Sequence, residues 1–383
     1  MLKQKIKIGV IGYFSPFDRR SYSGTLYKLC ESLTQRGAEI TWIPVKLNLF
    51  YRCYNKIAST VCAFFHKKFL FEHTRFGAFL ISKSLNKKLI KQSDLLLTPF
   101  SSSAIYGLKK SKPIIHFSDC TFTLLVDYHP YFYGLHPAVI KQGIAIEQRA
   151  FDKADALVLA SDWARDSAVK DFGQPEEKVF VSEMGANIDN QDIVYSEKNI
   201  GDTLHLLFLG VVWKWKGGDI AVETCKQLNE RGIKSVLHIV GITGLDAAVA
   251  TLPYIDSVGF LNKNDPEQYQ KLVECLRISN CLLLPTLAEC AGHAFCEASA
   301  NGLPVFSHRT GGTGSYVLDG RNGYLLPLGS TGKDFADKIE ECYKSGELLK
   351  MSETARDVYK EKLNWEVWSD KMEKILNSIL KFD

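Results

Sequence analysis

The sequence predicts an α/β protein of two Rossmann-like, doubly wound domains that face each other across an interdomain cleft. Three observations predict it. Short β-branched or leucine-rich runs alternate with segments of helical period along most of the chain, the pattern of parallel sheets covered by helices. That alternation stops in a polar, acidic stretch from Asn187 to Thr203, which begins Asn187-Ile188-Asp189-Asn190-Gln191-Asp192, and then restarts. The 383 residues suffice for two to three domains at roughly 150 residues each, and a chain of this size buries ample core without disulfide or metal staples.

The elements follow in order. The first strand is expected over Ile6 to Gly12; its apolar run is interrupted by Lys7 and lacks a cleavage site, so it reads as a strand and not as a signal peptide. Apolar runs place further strands at Glu39 to Val45, Asp94 to Pro99, Pro113 to Phe117, Ala156 to Ala160 and Lys178 to Ser182. The block 46–92 falls between two of them and has helical period. After the linker, the same signal marks Leu204 to Leu209, Ser235 to Val240, Ile255 to Gly259, Cys281 to Pro285, Pro304 to Ser307 and Gly323 to Leu326. The expected division is therefore 1–190 and 200–364. An amphipathic last helix, Trp365 to Phe382, within a segment 365–383, is long enough to pack back on the first domain.

Composition excludes several classes. With 46% hydrophobic residues and 23% charged, the chain is neither disordered, collagen-like nor a coiled coil. Its ten cysteines form no CxxC pair and no zinc spacing, which suits reduced core thiols in a cytosolic protein. No window offers the run of about 18 apolar residues that a membrane-spanning helix needs. The net charge of +4 is uneven: the block 46–92 carries +9 and the remainder −5. Nine aromatics, among them Phe50, Tyr54, Phe64 and Phe65, share that block. Such a stretch suits anionic lipid, nucleic acid or an acidic substrate.

The segment from Pro285 to Pro304 carries the most chemistry. A buried strand ends at Pro285, a loop follows, and a helix starts near Gly292 and stops at Asn301-Gly302. Open amides around Cys290 to Ala294, with Gly292 and His293 among them, form an anion site together with the positive end of the helix dipole. Glu289 before the helix and Glu297 within it are eight residues apart and flank that nest. Two carboxylates on either side of a diphosphate suit the hydroxyls of a nucleotide sugar. Either glutamate alone reads equally as an ordinary helix or dipole-stabilising residue.

This segment, with its Glu-x7-Glu spacing and Gly302-Leu303-Pro304 ending, resembles the signature of the family 4 retaining glycosyltransferases (glycosyl transferases group 1), which have the GT-B fold. Leu207 to Asp219, through Trp213-Lys214-Trp215-Lys216-Gly217-Gly218, is similar to the strand, loop and helix that open that family's nucleotide domain. Gly311-Gly312 and Val317 to Leu326 are similar to the loop and strand that close it, and Glu147 through Ser161-Asp162-Trp163 to Gly185-Ala186-Asn187 to the end of its acceptor domain. The resemblance implies that Lys216 holds the donor diphosphate. Val211 stands where the family places an arginine, so Lys214 or His293 is expected to supply that contact. The resemblance further implies Glu289 on the donor sugar, Glu297 on the ribose, and backbone at Phe260 and Leu261 reading the base.

In the first domain Gly12 and Gly24 bracket a loop that is similar to the family's donor-closing loop, although turn chemistry explains two glycines nearly as well. Asp119 falls where relatives place a polar group beside the reacting carbon, with His116 second; a cap and a satisfied strand histidine are the plainer readings. The aromatic run Tyr128 to Tyr133 suits stacking on acceptor sugars or loop packing. No Asp-x-Asp motif or histidine ligand spacing occurs, so no metal and no cofactor are expected.

The expected function is a retaining, metal-independent hexosyl transfer from a nucleotide-sugar donor to a hydroxyl, on a glycan or lipid-linked saccharide in cell-surface polysaccharide synthesis. A cytoplasmic location with peripheral docking on the anionic inner face of the membrane is expected. An epimerase or phosphorylase of the same fold and a basic nucleic-acid-binding protein are the alternatives. The latter leaves the second domain unexplained, so no nucleic acid is expected as a partner.

Overall fold

The structure, a computed structural model, describes residues 5–47, 49–193 and 198–380, with Leu49 and Phe50 described as backbone only. It divides into two compact units, Met1–Ser182 with Ser369–Asp383, and Glu183–Trp368. The first unit is built on β1 (Lys7–Gly12), β2 (Glu39–Pro44), β3 (Leu95–Pro99), β4 (Ile114–Ser118), β5 (Ala156–Leu159) and β6 (Val179–Val181). All neighbours are parallel, in the order β2-β1-β3-β4-β5-β6. In β3, β4 and β5 every residue is buried, which is why these strands read as mainly apolar runs with no alternation.

The second unit carries β7 (Leu204–Leu209), β8 (Ser235–Val240), β9 (Ile255–Gly259), β10 (Cys281–Leu283), β11 (Val305–Arg309) and β12 (Gly323–Pro327). Their order is β12-β11-β10-β7-β8-β9, again parallel. Each order reverses once, between β1 and β3 in the first sheet and between β7 and β10 in the second. Loops leaving the carboxyl ends of strands at such a reversal diverge and leave a crevice where ligands bind.

Two details differ from the sequence reading, the end of the first unit and the placement of two cysteines. The first unit ends at Ser182, not near residue 190, because Met184, Ala186, Asn187 and Ile188 are buried in the second unit despite the polar composition around them. The last helix runs Trp365–Leu380, with Phe382 outside the described residues; from Ser369 on it counts with the first unit. The block 46–92 folds mainly as three helices, Leu49–Phe64, Arg75–Lys83 and Lys87–Gln92, with Asn48 outside the described residues. All ten cysteines are free thiols, yet Cys53 is exposed and Cys62 half-buried, so these two are not core residues.

Candidate functional site

In the second unit the reversal brings together the loops after β7 and β10. Gly217, at φ +73°, starts the helix Gly218–Glu230, and a Cβ there would lie 2.1 Å from the Pro285 carbonyl oxygen. Only glycine allows this approach, which couples the two loops. Thr286 Oγ1 and the Leu287 amide both donate to the Trp215 carbonyl, at 3.1 and 2.8 Å. Lys216 is thereby turned toward the second loop, and its Nζ lies 2.5 Å from Glu289 Oε2. The Glu289 carbonyl in turn accepts from the Gly312 amide at 3.0 Å, so the glycine pair at 311–312 braces the same loop.

The helix His293–Ala300 begins at Gly292 with no side-chain cap and no acidic residue in its first turn. No carboxylate of its own first turn therefore offsets the positive end of its dipole. Glu297, only 3% exposed, pairs through Oε1 with Lys263 Nζ at 2.6 Å. Lys263 comes from the loop after β9 and also donates to the Asn187 carbonyl at 3.3 Å. Two lysine–glutamate pairs thus bracket one helix start. Burial first, then the charges of Lys263 and Lys216, push the His293 imidazole down to about 3, against a hydrogen bond with the Gly185 backbone. His293 is therefore neutral at physiological pH, so as a cation in place of the missing arginine it is unsuited.

The other predicted residues of this unit lie on the first helical turn and on the loops after β7 and β9. Ala294 follows His293 in the first helical turn, and Phe260 is exposed beside half-buried Leu261 just after β9. Lys214 is exposed to solvent. Sequence reasoning missed Lys263 and Asn187, which adjoin Glu297 only in space.

The first unit places its predicted residues at the carboxyl ends of β1 and β4. Gly12 closes β1, and the nearest atom to a Cβ built there would be 3.8 Å away, so packing does not require glycine at that position. Gly24 is at φ +98° and follows Tyr22 and Ser23, which also hold positive φ at 49° and 58°. Consecutive left-handed residues other than glycine are strained, and such strain gathers at ligand-binding loops. The Tyr22 ring lies 4.5 Å from that of Phe100, itself at φ +51° on the loop after β3. Burial, then the charge of half-buried Asp119, raises the Tyr22 hydroxyl to about 12.

His116 sits elsewhere. It is 1% exposed within β4, with Nδ1 2.9 Å from Thr98 Oγ1 and Nε2 3.3 Å from Ser102 Oγ. Both ring nitrogens are engaged inside the core, the arrangement of a satisfied strand histidine. Ser102 Oγ continues to Glu147 Oε1 at 3.3 Å, and Glu147 Oε2 accepts from the Phe122 amide at 2.5 Å. Burial raises the Glu147 carboxyl to about 8 against those two hydrogen bonds. Tyr131 and Tyr133 are exposed, and Lys68 lies over the Tyr131 ring.

Residues 190–358 match the family described as glycosyl transferases group 1. A D-inositol 3-phosphate glycosyltransferase of Corynebacterium diphtheriae is 24% identical over 253 residues, 62% of this chain and 59% of its own length. The putative colanic acid biosynthesis glycosyltransferase WcaL of Salmonella typhimurium is 29% identical over 47% of this chain and 46% of its own. The chain therefore spans about three fifths or less of the length of these curated relatives. Among solved structures, sucrose-phosphate synthase from Thermosynechococcus elongatus superposes with a TM-score of 0.71 at 14% identity, over 98% of this chain and all of that one. Anabaena HepE in complex with UDP and glucose gives 0.66 at 12% identity, over 97% of this chain and all of that one. These likenesses establish the two-domain α/β fold.

Proposed function

From the premise that residues 190–358 belong to glycosyl transferases group 1, we propose that the protein transfers a hexose, with retained anomeric configuration, from a nucleoside diphosphate to a hydroxyl acceptor. One observation carries this reading: Lys216–Glu289 and Lys263–Glu297 bracket an uncapped helix start at the point where the sheet order reverses. The positive end of the helix dipole and a nearby lysine suit a diphosphate. Glu289 takes hydroxyls of the donor sugar, Glu297 the ribose, and the backbone at Phe260 and Leu261 the base. Asp119, at the carboxyl end of β4, contributes on the acceptor side. In the front-face route the departing phosphate oxygen accepts the acceptor's proton while the new glycosidic bond forms. Lys216 and the helix amides carry the leaving charge in place of a divalent cation. The acceptor is a glycan or lipid-linked saccharide, a reading in line with the colanic acid relative's name.

A thermal-shift panel of UDP, GDP, ADP and their sugars tests the donor site, since a ligand at 100 times its Kd stabilises by about 2.7 kcal/mol. Glu297→Ala is expected to abolish the shift, and product formation to continue in EDTA. An unchanged shift in that variant would refute the assignment. Activity lost in EDTA and restored by manganese would refute metal independence. Turnover of the donor with no acceptor present would point to an epimerase.

Peripheral docking on an anionic membrane is part of the same reading. The helix Leu49–Phe64 is held at its start by Tyr51 and Tyr54 against Phe71, with ring centroids 4.2 and 5.4 Å apart. Beyond that, Ile57, Val61 and Phe64 follow at helical spacing, exposed by 66, 54 and 81%, and Phe65 continues the stripe. Arg52, Lys56 and Lys67 are exposed around it. No described helix is long and apolar enough to cross a membrane, so this stripe would lie in the interface. Phe64→Ser is expected to lower partition into anionic vesicles about tenfold, and added salt to weaken it further. Binding indifferent to lipid charge, salt and Phe64 would remove the membrane from the account.

A further inference from the structure

We propose that Lys263 is a second cationic contact to the donor diphosphate, so that the ligand is gripped by Lys216 on one side of the helix start and by Lys263 on the other. This rests on the reading that the site takes a nucleoside diphosphate sugar.

The plainer role for Lys263 is to neutralise Glu297, a carboxylate that would be costly to bury alone. Three observations go beyond it. The Lys263 side chain is 21% exposed while that of Glu297 is 4%, so the lysine is the member of the pair open to solvent. Its two acceptors, Glu297 Oε1 and the Asn187 carbonyl, engage two of three N–H donors and leave one for an incoming oxygen. Its charge, like that of Lys216, bears on His293, the first residue of the helix. Each lysine is matched by a glutamate, so the four side chains sum to no net charge, whereas the ligand's two phosphates are anionic. Hydroxyls that bind Glu289 and Glu297 take up the carboxylates and turn the two ammonium groups toward the phosphates. Lys214, exposed and three residues past the missing arginine, forms no ion pair among the described residues.

The test compares the nucleoside, monophosphate and diphosphate of whichever base the panel selects, by calorimetry on the full chain. Lys263→Met is expected to weaken the diphosphate about tenfold or more, with nucleoside affinity changed less than twofold. Because that variant leaves Glu297 unpaired, Lys263→Met/Glu297→Gln serves as the folded control. The lost preference for diphosphate over nucleoside should persist there, even if all three ligands bind more weakly through the missing ribose contact. Equal weakening of nucleoside and diphosphate in the single variant, no change in it, or a preference restored in the double variant, would show that Lys263 serves Glu297 alone. If the unaltered protein bound none of the nucleoside diphosphates, the donor-site reading itself would fall and this inference with it.

Discussion

Replacing Lys216 by methionine is expected to lower kcat by about two to three orders of magnitude while affinity for a bare nucleoside stays nearly constant. Departure of a nucleoside diphosphate concentrates negative charge on its terminal phosphate. A cation fixed beforehand beside that position stabilises the transition state without reorganising, a contribution of about 3 to 4 kcal/mol for one well-placed group. The close approach of Gly217 to Pro285 and the bonds to the Trp215 carbonyl hold the Lys216 backbone in place, and its pairing with Glu289 holds the side chain.

A second origin for the loss has to be separated. Without Lys216, the Glu289 carboxylate, 17% exposed, loses the cation that faces it, at the point where the proposed anionic donor would bind. Glu289→Gln added to Lys216→Met removes that repulsion and keeps an acceptor for sugar hydroxyls. If Lys216 stabilises the leaving group, the double variant stays within about tenfold of the single one. Recovery of most of the activity would reduce Lys216 to the counter-ion of Glu289. Single-turnover rates at saturating donor make the comparison, because they isolate the chemical step from binding.

The residues legible in the sequence and those that were not differ by a physical rule. Parallel strands buried on both faces are written as mainly apolar runs without alternation, so the cores of β3, β4 and β5 could be read directly. Glu289 and Glu297 were legible because one loop and one helix fix their separation along the chain. Lys263 was not, because it pairs with Glu297 only through the order of the sheet, from the edge strand β9. Asn187 was hidden differently: its polar neighbours suggested a linker, while alternate apolar residues at 184, 186 and 188 bury the segment in the second unit. At His116 the strand was clear and the direction of the side chain was not. Its partners Thr98 and Ser102 lie on another strand and another helix.

That buried histidine has a consequence for stability, and the first unit is expected to be most stable near pH 6 to 7 and to lose stability on both sides. On the acid side, burial lowers His116 and His73 to about 4, and an unfolded histidine titrates near 6.5. Below that value the unfolded chain binds more protons than the folded one, so stability falls as pH drops from about 6.5 to 4, by at most about 3 kcal/mol per histidine. On the alkaline side the sign reverses. Glu147 is raised by burial from 4.5 to about 8, so the folded state holds a proton that the unfolded carboxyl has released. Stability drains as pH rises from 4.5 to 8, by up to about 5 kcal/mol, and above pH 6.5 no histidine offsets it. Glu147→Gln isolates this limb, because a carboxamide at that position would still accept from the Phe122 amide and donate toward Ser102 without titrating. Melting temperature followed from pH 4 to 8 should therefore decline above pH 6.5 in the unaltered protein and level off in the variant, with the acid limb retained. An alkaline decline that survives Glu147→Gln would mean that the carboxyl is ionised in the folded core and that Ser102 and the Phe122 amide suffice to hold its charge.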